Sequence, residues 1–138
     1  MNNYKDIIIT ALNMRKMSYS PYSKFSVGAA LLTKNGKIFS GCNIENAAYS
    51  PSNCAERTAF FKAVSEGERD FTAIAVAGGS AEKDSPSDYC APCGVCRQVM
   101  AEFTDPEEFD VILAKDVNDF KVYKLKDLLP ESFSGKSL

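Results

Sequence analysis

Two cysteines three residues apart, and a third cysteine next but one to a glutamate, carry most of the chemistry this sequence can perform. Cys93-Gly94-Val95-Cys96 is a Cys-x-x-Cys, a spacing shared by zinc sites and thioredoxin-like redox sites. Pro92 precedes it, and residues 94–103 read as a helix. The pair therefore stands at a helix N-terminus, where positive partial charge and free N–H groups favour thiolate over thiol. Cys54 opens a second, Ala-rich helical stretch in Asn53-Cys54-Ala55-Glu56-Arg57. Two helix starts bearing cysteine can meet over one Zn²⁺. Three protein ligands leave the fourth tetrahedral position open, the pattern of a catalytic rather than a structural zinc. In mid-helix the spacing of Cys54 and Glu56 would point their side chains apart; in a first turn both can reach past the helix end. A carboxylate there can take a proton from a metal-activated water, whose pKa falls to about 7, and pass it on. Three thiolates with Zn²⁺ leave an excess negative charge. Arg57 is placed to hydrogen-bond the sulfurs and draw that charge off, and Arg97, after Cys96, is a second candidate. On spacing alone, other readings stay open. They are a closed structural zinc with Cys42 or Cys90 as fourth ligand, a redox-active Cys93/Cys96 pair, and buried structural thiols.

The bulk properties narrow this. The 138 residues include five cysteines and no histidine, with a net charge of −2. A zinc site must then be built from thiolates and carboxylates, and imidazole acid–base chemistry is excluded. An odd cysteine count, with no basic n-region and apolar core in Met1-Asn2-Asn3-Tyr4-Lys5-Asp6, argues against a disulfide framework and for a cytoplasmic protein. No dense Lys/Arg block marks a phosphate-tracking surface, so nucleic acid is not the expected partner. No apolar run approaches the roughly 20 residues that span a bilayer. The length suits a single domain over residues 1–138.

The elements that must position these residues follow from periodicity. Ile7, Ile8, Ala11, Leu12 and Arg15 fall at helical spacing within 4–17. Strands are expected at 27–33 and 37–42 around an Asn35-Gly36 hairpin turn. A loop over 43–53 leads to a helix over 54–65, stopped by Gly67. Residues 71–77 are almost wholly apolar, as expected of a strand buried on both faces. A loop over 78–92, the helix at 94–103 and strands at 109–114 and 121–125 complete the order α-β-β-α-β-α-β-β. The fold class is α/β: a three-layer α/β/α sandwich around a mixed five-stranded sheet.

The motifs jointly resemble those of the small homotetrameric, zinc-dependent cytidine deaminases of the cytidine/deoxycytidylate deaminase family. The resemblance rests on Asn53-Cys54-Ala55-Glu56-Arg57 and Pro92-Cys93-Gly94-Val95-Cys96-Arg97-Gln98. It extends to the run from Tyr19 to Ala30, to Gly41-Cys42-Asn43-Ile44-Glu45-Asn46-Ala47 and to Leu128-Leu129-Pro130. It implies one Zn²⁺ per subunit on Cys54, Cys93 and Cys96. It also implies attack on C4 of cytidine or deoxycytidine with Glu56 as proton shuttle, in pyrimidine salvage. Asn43 and Glu45 resemble the pair on the ribose 3′-hydroxyl, Phe25 the aromatic beside the base, and Ala55 the backbone N–H near it. Ala47, Tyr49 and Phe133 resemble positions reaching a neighbouring subunit's site, so the resemblance implies a homotetramer with shared sites. A deaminase of another aminonucleoside, such as a nucleoside antibiotic, and a non-catalytic zinc module are the alternatives. The chain departs from the family in a longer stretch between Ala77 and Pro92, which ends in the extra thiol Cys90.

Overall fold

Large and small apolar side chains alternate along residues 71–80, and the alternation decides how the layers stack. Ile74 and Val76 join one buried cluster; Ala73, Ala75 and Ala77 join another on the opposite face. In the computed structural model this stretch is β3 (Phe71–Ser80), the centre of a five-stranded sheet of order β2-β1-β3-β4-β5. The other strands are β1 (Phe25–Thr33), β2 (Ile38–Cys42), β4 (Asp110–Asp116) and β5 (Asp119–Lys124). All neighbours are antiparallel except β3 and β4, which run parallel. The structure describes residues 3–138; Met1 and Asn2, which begin the stretch without a leader pattern, lie outside the described residues.

The alanine face takes α1 (Lys5–Met14), through Ile7, Ile8 and Ala11. The Ile/Val face takes α2 (Ala55–Ser65) and α3 (Gly94–Phe103), where the fully buried Phe60 ring contacts Phe71 edge-on at 5.2 Å and Phe109 at 6.0 Å. The three layers and the mixed five-stranded sheet are as the sequence predicts.

Two glycines set the layer spacing. A Cβ on Gly28 would stand 1.9 Å from the Ala11 carbonyl oxygen, and one on Gly41 would stand 2.4 Å from that of Ala55. Each helix therefore lies directly on bare strand backbone, α1 on β1 and α2 on β2. The second contact fixes the first turn of α2, which bears Glu56.

Topology then brings the two cysteine-bearing helix starts together. Gly28 of β1 is flanked by Cys42 of β2 and Ala77 of β3, so both neighbours of β1 end at the side of the sheet where β1 begins. The loop after β2 leads into α2, and the loop after β3 leads into α3. Both helices start at that side.

Several boundaries differ from the sequence reading. The first helix tightens to a 3-10 turn at Arg15–Met17, where Ser18 N–H bonds to the Arg15 carbonyl. Residues 78–80, read as loop, continue β3, because Phe25–Val27 extend β1 to pair with them. Residue 125 is not strand: Leu125 begins α4 (Leu125–Leu128) and is fully buried under the α2/α3 face. Among the described residues no helix is long and apolar enough to cross a membrane.

Gly28→Ala forces a methyl group against the backbone of α1. It should destabilise the chain by about 2 kcal/mol or more, read as a lower urea midpoint at unchanged m. An unchanged midpoint would show that this approach does not set the layer spacing.

Candidate functional site

Cys54 and Cys93 are the N-cap residues of α2 and α3, both in extended backbone conformation with ψ of 156° and 167°. Neither side chain caps its helix, so the sulfurs are left to other partners. Cys96 sits in the first turn of α3 and is buried. The Cys54 and Cys93 sulfurs lie 3.7 Å apart and those of Cys93 and Cys96 3.6 Å, with all three within 4.8 Å of one another. Zn–S bonds of about 2.3 Å in tetrahedral geometry require sulfurs about 3.8 Å apart. The donor set therefore fits Zn²⁺. Neither Cys42 nor Cys90 belongs to the cluster: Cys42 is buried at the end of β2, its thiol 3.4 Å from the Met17 carbonyl. No fourth thiol joins the three sulfurs, which removes the basis for a closed four-thiol site.

Charge around the sulfurs is arranged from both sides. Hydrogen bonding from Cys96 draws the Cys54 thiol down to about 5 against the opposing effect of burial, and Arg57 and Cys93 assist. Cys96 is pushed upward by its bond to Cys54 and by burial. Arg57 Nη2 donates to Cys54 Sγ at 3.3 Å, as the sequence predicts. Its Nε is buried without a hydrogen-bond partner among the described residues, leaving a further donor beside the sulfurs. Glu56 is 4% exposed, and burial first, then the negative Cys54, pushes its carboxyl up to about 7 against the pull of its own backbone N–H. A carboxyl balanced near neutrality can both accept and return a proton.

These groups form one end of a cleft of about 400 Å³, within the range of small-molecule sites. Asn43, Glu45, Tyr49, Ala55 and Arg57 also line it, so most of the sequence-predicted set converges there. Asn43 Oδ1 accepts from the Val27 N–H at 2.9 Å and from the Ser18 hydroxyl, and its Nδ2 donates to the Phe25 carbonyl at 2.8 Å. Glu45 accepts from the Tyr22 and Ser23 N–H groups, both at 3.1 Å, and from the Ser23 hydroxyl, which holds its carboxyl below the usual range. Both residues thus fasten the cleft's own walls. Phe25 is 41% exposed and does not line the cleft; its ring and the Cys90 sulfur each lie close to the bare Cα of Gly78. Ala47 and Phe133 do not reach the cleft of their own chain; Phe133 is 63% exposed, and its carbonyl accepts from Gln98. A larger hollow of about 680 Å³ between the start of α1 and β5 is lined by Tyr4, Ile8, Phe120 and Val122 among others, with no thiol or carboxylate.

One expectation is overturned. Arg97 donates to the carbonyls of Pro92 at 2.7 Å and Leu128 at 2.6 Å, not to sulfur. It follows Cys96 on the helix and is turned toward α4, which it ties to the Cys-x-x-Cys loop. Val27, Asn53 and Ala91 line the cleft without having been singled out, and Cys90 lines it where sequence marked only a spare thiol. Val27 could have been found from Phe25, since residues two apart on a strand share a face.

Comparison with known proteins converges on one family. The region described as "Cytidine and deoxycytidylate deaminase zinc-binding region" matches residues 1–110. A cytidine deaminase of Sporosarcina psychrophila is 49% identical over 132 residues, covering 96% of this chain and 92% of that protein. One from Halalkalibacterium halodurans is 47% identical over 132 residues, covering 96% and 95%. The crystal structure of a Burkholderia pseudomallei cytidine deaminase superposes with a TM-score of 0.84 at 46% identity, covering 96% of this chain and 100% of that one.

Glu56 makes stability depend on pH in a stated direction. Its folded-state pKa near 7 exceeds the ordinary 4.5, so the folded chain holds that proton more tightly. The stabilisation is complete below 4.5 and lost as pH rises through 7. Metal-stripped Glu56→Gln should therefore match the metal-stripped parent at pH 4 and exceed it by about 3 kcal/mol at pH 8. A gap that does not change with pH in denaturant titrations would contradict the buried, elevated carboxyl.

Proposed function

The chain belongs to the cytidine and deoxycytidylate deaminase family, and on that premise we propose that it hydrolyses cytidine and deoxycytidine to uridine and deoxyuridine plus ammonia, in pyrimidine salvage. The observation that carries this is the buried Glu56 carboxyl beside three sulfurs at tetrahedral spacing, at the end of a nucleoside-sized cleft.

Cys54, Cys93 and Cys96 would hold Zn²⁺, which when bound supplies a Lewis acid and brings the pKa of a water toward neutrality. Glu56 takes one proton from the attacking water and delivers it to N3 of the cytosine ring; it then takes the remaining proton from the new C4 hydroxyl and passes it to the amino group, which leaves as ammonia as the C4 carbonyl forms. One water is consumed, its oxygen ending on C4. The burial of Glu56 beside the sulfurs supports this double role, because a carboxyl shielded from bulk solvent keeps its proton for the substrate. Arg57 offsets the excess negative charge of the three thiolates. Asn43 and Glu45 receive the ribose 3′-hydroxyl, the backbone N–H of Ala55 lies near the base, and Phe25 packs beside it. A 3′-phosphate would meet the Glu45 carboxylate, which favours free nucleosides over nucleic acid.

The active form is a homotetramer in which Ala47, Tyr49 and Phe133 complete a neighbour's site. Its support is a set of exposed apolar side chains, with Tyr22 51%, Tyr49 79%, Val95 56% and Phe133 63% exposed, of which Tyr49 lines the cleft. Sedimentation of a monomer with full activity would dispose of this arrangement.

Ammonia release from a panel of cytosine and adenine nucleosides, together with zinc analysis, tests the reading. Release from cytidine and deoxycytidine is expected. Release only from an aminonucleoside antibiotic would move the substrate. Zinc without any ammonia would indicate a non-catalytic module, and metal-free protein with a reducible Cys93–Cys96 disulfide would indicate redox chemistry. Glu56→Ala should keep its zinc and lose turnover by on the order of 10³-fold; surviving activity would refute the proton shuttle. Arg57→Gln should lower turnover more than zinc content, and unaltered turnover would count against charge compensation.

A further inference from the structure

The segment joining β3 to α3, residues 81–92, has no helix or strand of its own, yet it is fastened at successive points. At its start, the guanidinium of Arg15, only 5% exposed, donates to the carbonyls of Ser26 (3.1 Å), Ser80 (2.9 Å), Asp84 (3.2 Å) and Lys83 (3.3 Å). Next, Pro86 is buried over Gly79, where a Cβ would stand 2.9 Å from the Pro86 Cα. Then Tyr89 donates its hydroxyl to Asp119 Oδ1 on the β4–β5 hairpin. The Lys121 and Lys115 ammonium groups lie 4.4 and 5.3 Å from the centre of its ring, and Lys115 is paired with Asp119 at 3.6 Å. Finally Cys90 lies over Gly78, where a Cβ would stand 2.7 Å from its sulfur and 3.1 Å from the Phe25 ring.

Cys90 and Ala91, immediately after Tyr89, both line the cleft that holds Glu56, and Cys93 follows two residues later. An irregular segment of this length has many conformations available unless contacts remove them. The Tyr89 clamp, which packs against the same buried cluster as α2 and α3, is the last side-chain fastening before the chain enters the cleft. It therefore decides where the cleft wall stands, while α3 and Arg97 hold the sulfurs independently.

We propose that Tyr89 is a positioning residue for deamination: clamped between Lys115 and Lys121 and hydrogen-bonded to Asp119, it fixes Cys90 and Ala91 as the wall of the nucleoside cleft. Gly78 is the complementary part, since its lack of a side chain leaves the space that the Cys90 thiol occupies against the sheet. This rests on the cleft being the deamination site.

The test is steady-state kinetics on zinc-loaded parent and variants, with zinc measured in each preparation. Tyr89→Ala should lower kcat/KM for cytidine by on the order of 10- to 100-fold, with KM raised and zinc content unchanged. Tyr89→Phe should recover most of that loss, because the ring stays between the two lysines. Gly78→Ala, which pushes Cys90 from the sheet side, should lower kcat/KM to a similar degree with zinc retained. Amide hydrogen exchange at Cys90 and Ala91 should be faster in Tyr89→Ala than in the parent, a readout independent of turnover. A merely structural role would lower the melting temperature and leave kcat/KM per zinc-loaded chain unchanged, overturning the proposal. Unaltered exchange at 90–91, or loss of zinc in step with activity, would overturn it too. A zinc-loaded parent that releases no ammonia from cytidine would instead overturn the deamination reading, and this is seen before any variant is made.

Discussion

Sulfurs 3.6–3.7 Å apart cannot all be ionised unless something positive stands among or behind them. Zn²⁺ is one such charge. The protein supplies others: the N-termini of α2 and α3, and the guanidinium of Arg57 at 3.3 Å from Cys54. That requirement constrains the fold more than any packing preference does. Two helices must begin at the same sheet edge with their first turns side by side. The pairing of β2 and β3 on either side of β1 achieves this, because both flanking strands finish where β1 starts.

Close approach of the layers follows from small residues rather than from large complementary ones. Gly28 and Gly41 leave strand backbone bare beneath α1 and α2, and the alanines of β3 flatten the face on which α1 lies. The bulky side chains are concentrated on the other face, around Phe60, where they fix α2 and α3 against each other. The end of α2 that bears Glu56 is thus held from below by Gly41 and from the side by an aromatic cluster. Glu56 can then be kept buried at a helix start, with its carboxyl raised by that burial. Asn43 and Glu45 show the same economy of parts, since each ties the walls together through backbone groups while facing the cleft. Arg15 is the costly exception, a buried cation tolerated because four carbonyls converge on it.

The sequence by itself determined the parts that depend on local spacing. Period-2 and period-3.6 patterns located the five strands and three main helices, because burying one face imposes those periods on any chain. The absence of histidine, the Cys-x-x-Cys and the Cys-x-Glu restricted the metal chemistry to three thiolates and a carboxylate, and Arg57 was legible because it lies one helical turn from Cys54. Tertiary structure decided whatever depends on contacts between residues distant in sequence. The extension of β3 through Gly78–Ser80 needed β1 as partner; the four-residue α4 needed the core beneath Leu125; Arg97 found carbonyls at Pro92 and Leu128 rather than sulfur. The position of Cys90 over Gly78 of β3 depends on a contact that sequence spacing does not show. Local spacing names the groups that can do chemistry; only the folded chain sets the distances and burial that bring three sulfurs together beside a buried carboxyl.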